Sequence, residues 1–152
     1  HYGPDAAGVG EMPLEHYIGP CRVINVDVQP RTRVTIADLG DAPIDAPRIL
    51  INTGTFTSLE EFNEDFAALD HELIEHLASQ GVITIGLDSP SVDIIDSKDL
   101  PAHGSCLANN IAILETLKLD GVSAGRYELL AQPLKLIGFD GSPVRAALRS
   151  IC

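Results

Sequence analysis

Long apolar runs are missing from this 152-residue chain. That excludes a membrane-spanning helix, which needs ~20 consecutive apolar residues. Positive charge is scarce. Lys and Arg number 10 against 22 Asp and Glu, leaving a net charge of −12 and a pI near 4.6. Nucleic acid is therefore not an expected partner, because phosphate binding requires a basic surface. Cysteine is limited to Cys21, Cys106 and Cys152. They are odd in number, widely spaced and without a Cys-x-x-Cys pair, which fits a reduced, cytoplasmic protein better than a disulfide scaffold. The serine-hydrolase elbow Gly-x-Ser-x-Gly, the phosphate-cradling Gly-x-x-x-x-Gly-Lys and the dinucleotide fingerprint Gly-x-Gly-x-x-Gly are all absent. No internal repeat and no targeting segment is visible within residues 1–152. The chain opens on His1 with no initiator Met, so its true N-terminus is expected to lie upstream.

What is present suits one well-packed domain. Hydrophobic residues make up 45% and charged residues 21%, enough for a full core and too apolar for disorder. Alternation over Cys21 to Val28 predicts a strand, and Thr35 to Leu39 a short capped turn of helix. Ile49-Leu50-Ile51, within Arg48 to Asn52, is a continuous apolar run expected to form a buried strand, with Thr53-Gly54-Thr55 as its exit loop. Leu69 to Gln80 reads as a helix, capped by Asp70 and ended by Gly81. Val82 to Leu87 reads as a second buried strand, ending at Asp88. Helix followed by apolar strand is the pattern of parallel strands with helices on one face. Asn109 to Leu117 fits neither period. Arg126 to Gln132, Leu134 to Phe139 and Ser142 to Ile151 are expected strands, with helix as the alternative for the last. The predicted class is α/β, a mixed β-sheet core with flanking helices.

The residue that most needs explaining is Glu115. It follows Ile111, Ile113 and Leu114, and a carboxylate among apolar side chains needs a cation, a metal or a proton. His103 precedes it by twelve positions, in a segment read as a loop. Both are ligand types for a divalent cation such as zinc, although their spacing alone does not place them on one helical face. Cys106, three residues after His103, is either a partner to that histidine or a small buried apolar residue. His71 and His76 are five apart, off the i, i+4 spacing of helical zinc pairs, and read as a solvated face. His16 is open to either reading. Asp88 is a strand-end site residue or an Asx-turn residue before Ser89-Pro90.

An ordered set of segments resembles the metal-dependent cyclase/arylformamidase family, and within it the bacterial kynurenine formamidases. The segments run from His1-Tyr2 through 17–24, 86–93, Asp96-Ser97-Lys98-Asp99-Leu100-Pro101-Ala102-His103 and Ile113-Leu114-Glu115 to 127–129, 133–135 and 142–146. The resemblance implies a swivelling β/β/α-like fold and zinc-dependent hydrolysis of N-formyl-L-kynurenine to L-kynurenine and formate, in tryptophan breakdown. It implies that His1 is the proton donor or acceptor, and that His103 and Glu115 are metal ligands to one or two zinc ions per subunit. Partners implied are a small-molecule substrate and a second copy in a homodimer. Of the hallmark His-x-Gly-Thr-His-x-Asp-x-Pro-x-His, only the last residue is present, as His1. Residues 1–152 are thus expected to form a single metal-hydrolase domain lacking the family's N-terminal portion, which carries two histidines and an aspartate. Gly104 departs from the His or Arg usual after the histidine. Two other readings remain open: a hydrolase of a cyclic imide, lactam or isatin-like substrate, and an inactive fragment that keeps the fold.

Overall fold

A computed structural model describes residues 3, 6–58 and 60–151. Its elements in chain order are β1 (Ile18–Asn25), β2 (Arg33–Val34), β3 (Arg48–Asn52), β4 (Ala68–Leu69), α1 (His71–Ser79), β5 (Thr84–Leu87), α2 (Pro101–Ala108), β6 (Ala112–Leu114), β7 (Gly125–Leu130) and β8 (Ala147–Ser150). The main sheet runs β6-β5-β3-β1-β7-β8. β1, β3, β5 and β6 are parallel, and β7 and β8 are antiparallel to their neighbours. β2 and β4 pair separately, in parallel. This is the mixed α/β arrangement expected from the sequence. Among the described residues no helix is long and apolar enough to cross a membrane.

The continuous apolar runs are explained by burial on both sheet faces. Successive side chains on a strand point oppositely. Ile49 and Ile51 of β3, and Ile85 and Leu87 of β5, therefore join one buried cluster with Leu73, Ile74 and Leu77 of α1 and with Ala102 and Cys106 of α2. Leu50 faces the other way, with Cys21, Val23, Leu114 and Leu129. Gly86 also faces that way. A Cβ there would lie 2.5 Å from Leu50 Cδ2 and 2.7 Å from Leu117 Cδ1, so this crossing admits only glycine without a shift.

Local signals account for α1. Asp70 accepts the Glu72 amide as N-cap, and Gly81 turns the chain at φ 84°. His71 and His76 lie away from the buried face of this helix, as expected. His16 proves structural. Its Nδ1 is 2.9 Å from Ile83 O, and its carbonyl accepts from Arg48 Nε and Thr84 Oγ1.

Two of the expected strands fail in whole or in part. Leu134 to Phe139 is not a strand. Pro133 lacks an amide donor, Gly138 turns at φ 77°, and Leu134, Ile137 and Phe139 are exposed. The segment is tied instead by the Val9 amide donating to Phe139 O. Only Ala147–Ser150 of the expected Ser142 to Ile151 strand pairs, against β7.

Candidate functional site

His103 does not sit in a loop. It lies in the first turn of α2, which begins with Pro101 at a position where no amide is needed. The residue before it, Leu100, adopts φ 45° and offers no side-chain cap. The cap comes from Asp93 instead. Its carboxylate accepts the amides of Ala102 at 3.3 Å and His103 at 3.0 Å.

The same carboxylate accepts from the His103 ring, with Oδ2 2.9 Å from Nδ1, and from Arg33 Nη1 at 2.9 Å. Asp93 is 1% exposed. Burial alone would raise its pKa. The hydrogen bonds from the amide and ring of His103, from Arg33 and from Ala102 outweigh that and hold it below the ordinary carboxylate range. An ionised Asp93 accepting from Nδ1 orients the His103 ring with its Nε2 edge toward Glu115.

Nε2 lies 3.7 Å from Glu115 Oε1. Glu115 follows β6, where the chain turns through Thr116 at φ 59°. This is a strained conformation for a β-branched residue. The Thr116 and Leu117 amides pin the turn by donating to Ser89 O and Leu87 O. The Val92 amide donates to Glu115 Oε1 at 3.0 Å. Burial raises the Glu115 pKa above the carboxylate norm. The Val92 amide and His103 oppose the rise, and the negative Asp93 adds to it. The side chain is 27% exposed, so its oxygens are neither sealed off nor facing open solvent.

Two donors each ~2.1 Å from one zinc ion stand on the order of 3–4 Å apart, and Nε2 and Oε1 meet that condition. Imidazole nitrogen and carboxylate oxygen are suitable zinc donors, so the pair fits part of a zinc site. No group of three or more His, Cys, Asp and Glu residues suited to a metal occurs among the described residues. His1 lies outside the described residues.

His103 and Glu115 line one wall of a cavity of about 1090 Å³. Leu50, Leu114 and Leu129 supply apolar wall, and Lys118 and Arg145 are its basic residues besides His103. Cys106 also borders the cavity, but burial and the negative charges of Asp93 and Glu115 push its thiol up to about 12. It behaves as a small apolar residue. Asp88 is structural as well, accepting from Thr53 N, Thr53 Oγ1 and Gly54 N. At Gly104 a Cβ would meet nothing within 4 Å, so a side chain at this position would project into open space.

Sequence reading missed Asp93 and Arg33. The available signal was a helix beginning at Pro101 with no suitable cap immediately before it, which required an acceptor from elsewhere in the chain.

Residues 1–94 match the family described as putative cyclase. The chain is 42% identical over 153 residues to a kynurenine formamidase of Bordetella petrii, covering 99% of this chain and 72% of that protein. It is 43% identical over 152 residues to a kynurenine formamidase of Sphingopyxis alaskensis, with the same coverage of 99% and 72%. A solved structure described as a potential metal-dependent hydrolase with cyclase activity superposes with a TM-score of 0.81 at 28% identity, covering 97% of this chain and 73% of that one.

Proposed function

The chain belongs to the putative cyclase family, and from that premise we propose that it is a zinc-dependent arylformamidase hydrolysing N-formyl-L-kynurenine to L-kynurenine and formate. The observation that carries this reading is the 3.7 Å approach of His103 Nε2 to Glu115 Oε1 on the wall of a cavity large enough for an aryl amide.

His103 and Glu115 would hold the metal. Two donors fall short of the four ligands zinc usually takes. In the family pattern two histidines and an aspartate from the segment preceding His1 supply further ligands, shared among one or two ions. Zinc, when bound, supplies positive charge that polarises the formyl carbonyl and acidifies a water. Asp93 keeps the His103 ring in one tautomer and one orientation, and Arg33 keeps Asp93 in place. The apolar wall at Leu50, Leu114 and Leu129 receives the aromatic ring. His1 takes a proton from the attacking water and returns one to the aniline nitrogen as the carbon–nitrogen bond breaks. The family resemblance further supports a homodimer. The buried free thiols of Cys21 and Cys106 suit a reducing cytoplasm.

The test compares turnover of N-formyl-L-kynurenine, isatin and a cyclic imide, each before and after chelation. Zinc-restorable release of L-kynurenine, well above turnover of the two cyclic substrates, supports the reading. Preference for a cyclic substrate would move the chain to another activity on this scaffold.

A further inference from the structure

Arg145 differs from every other arginine in the molecule. Arg22, Arg31, Arg33, Arg126 and Arg149 each pair with a carboxylate, and Arg48 donates to the carbonyls of Glu15, His16 and Pro20. Among the described residues no ion pair or hydrogen bond engages Arg145, although the chain carries a net charge of −12. It is exposed, and it borders the same cavity as His103 and Glu115.

Its backbone is held from both sides. Two residues on, β8 begins, and Ala147 pairs with Leu130 of β7. Three residues back, Ser142 Oγ accepts the Leu134 amide at 2.9 Å. Val144 and Leu148 pack against the buried cluster behind the cavity. A side chain carried on such a support presents its charge in one place. A strongly acidic surface disfavours the approach of a carboxylate, so a guanidinium at the cavity is the feature that would receive the carboxylate end of a zwitterionic substrate.

We infer that Arg145 is the specificity-determining residue that binds the α-carboxylate of an amino-acid-bearing aryl amide, while the amide lies toward His103 and Glu115. This rests on the hydrolase reading above and deepens it by naming the charged end of the substrate. A planar guanidinium matches a carboxylate in two parallel hydrogen bonds. Lys118, the cavity's lysine, offers only a point charge.

Two pairs of probes test this. N-Formyl-L-kynurenine and 2-formamidoacetophenone share the aryl formamide and the ketone, but only the first has the amino-acid arm. Arg145→Gln is expected to raise KM for the first by about ten- to a hundredfold, the range of a charge-assisted pair. Its kcat should change less than about twofold, and its KM for the second should match the wild type. That unchanged KM also shows that the variant is folded. Arg145→Lys should recover part of the loss. Equal effects on both substrates, or none on either, would overturn the assignment.

Binding of L-kynurenine and of 2-aminoacetophenone, followed by calorimetry, needs no turnover. If the wild type hydrolyses neither formamide but binds L-kynurenine through Arg145, the hydrolase reading fails and the carboxylate site stands. If Arg145→Gln hydrolyses both formamides and binds L-kynurenine as the wild type does, the site falls and the hydrolase stands.

Discussion

The two faces of the main sheet use similar residues to opposite ends. On one face Ile49, Ile51, Ile85 and Leu87 are covered by α1 and α2 and fully buried. On the other, Leu50, Leu114 and Leu129 are covered by loops, and the packing leaves a cavity of about 1090 Å³. The helix-covered face supplies rigidity. It seats α2, whose first turn carries His103, and the buried Asp93 locks that turn. The loop-covered face supplies room. Glu115 lies between them, at the end of β6, where Thr116 bends the chain. Precision comes from the dense side and volume from the open side, and the candidate site forms along their shared edge.

Substitutions can break this contrast in graded ways. Glu115→Gln should have the largest effect, lowering formamide turnover by at least about a thousandfold, because the metal's several kcal/mol of transition-state stabilisation depends on it. The melting temperature should stay within about 3 °C, since the amide oxygen can still accept from Val92. A variant that unfolds as well as losing activity would show that the carboxylate serves the fold.

Asp93→Asn strikes the dense side. It weakens a buried pair with Arg33, a helix cap and the hold on His103 together. We expect about 2–4 kcal/mol of lost stability and a ten- to hundredfold weaker hold on zinc, of the order seen when partners of metal ligands are removed. Denaturant unfolding and zinc titration read the two effects separately. A loss of stability with unchanged zinc affinity would reduce Asp93 to a cap.

Truncation compares the two faces directly. Ile51→Ala, within the dense cluster, should cost about 3–4 kcal/mol. Leu50→Ala, beside space that already exists, should cost nearer 2–3 kcal/mol. Gly86→Ala alone should cost about 1–3 kcal/mol through its clash with Leu50 and Leu117. The double variant Leu50→Ala/Gly86→Ala should be more stable than the sum of the two predicts. Strict additivity by denaturant unfolding would mean that the chain relieves the contact elsewhere.

The smallest effect concerns the thiols. Burial pushes Cys21 up to about 11 and Cys106 up to about 12, against an ordinary 9.0. Both are raised in the fold, so their contribution to stability is complete below pH 9 and is lost as pH rises through 11 to 12. Native protein at pH 8 should therefore resist alkylation at both, as read by peptide mass mapping, and react only on unfolding. Rapid labelling of Cys106 at pH 8 would indicate that the α2 side opens easily.

The sequence showed the dense face more clearly than the site. β3 was expected over Arg48 to Asn52 and occurs at Arg48–Asn52, because a buried parallel strand reads as an unbroken apolar run. α1 was marked by Asp70 and Gly81, both local signals. α2 went unrecognised. It is short, contains Gly104, which costs ~1 kcal/mol relative to Ala, and takes its cap from Asp93, ten residues before His103. The run from Leu134 to Phe139 looked like a strand because its apolar residues suggest burial, yet they lie exposed. Glu115 was legible because an acidic residue among Ile113, Leu114 and Leu117 stands out. Its meeting with His103 was implied by the family resemblance but not by spacing, since a helix and a strand turn bring the two together and no spacing rule encodes that.

The central claim is that Nε2 of His103 and Oε1 of Glu115 act as two ligands of one zinc ion. Zinc retained per chain after dialysis, measured side by side for the wild type, His103→Ala and Glu115→Gln, tests it most directly. For the full-length protein, with the segment preceding His1, the account predicts bound zinc in the wild type and a marked loss in both variants, with the fold intact by circular dichroism. Undiminished zinc in either folded variant would contradict it.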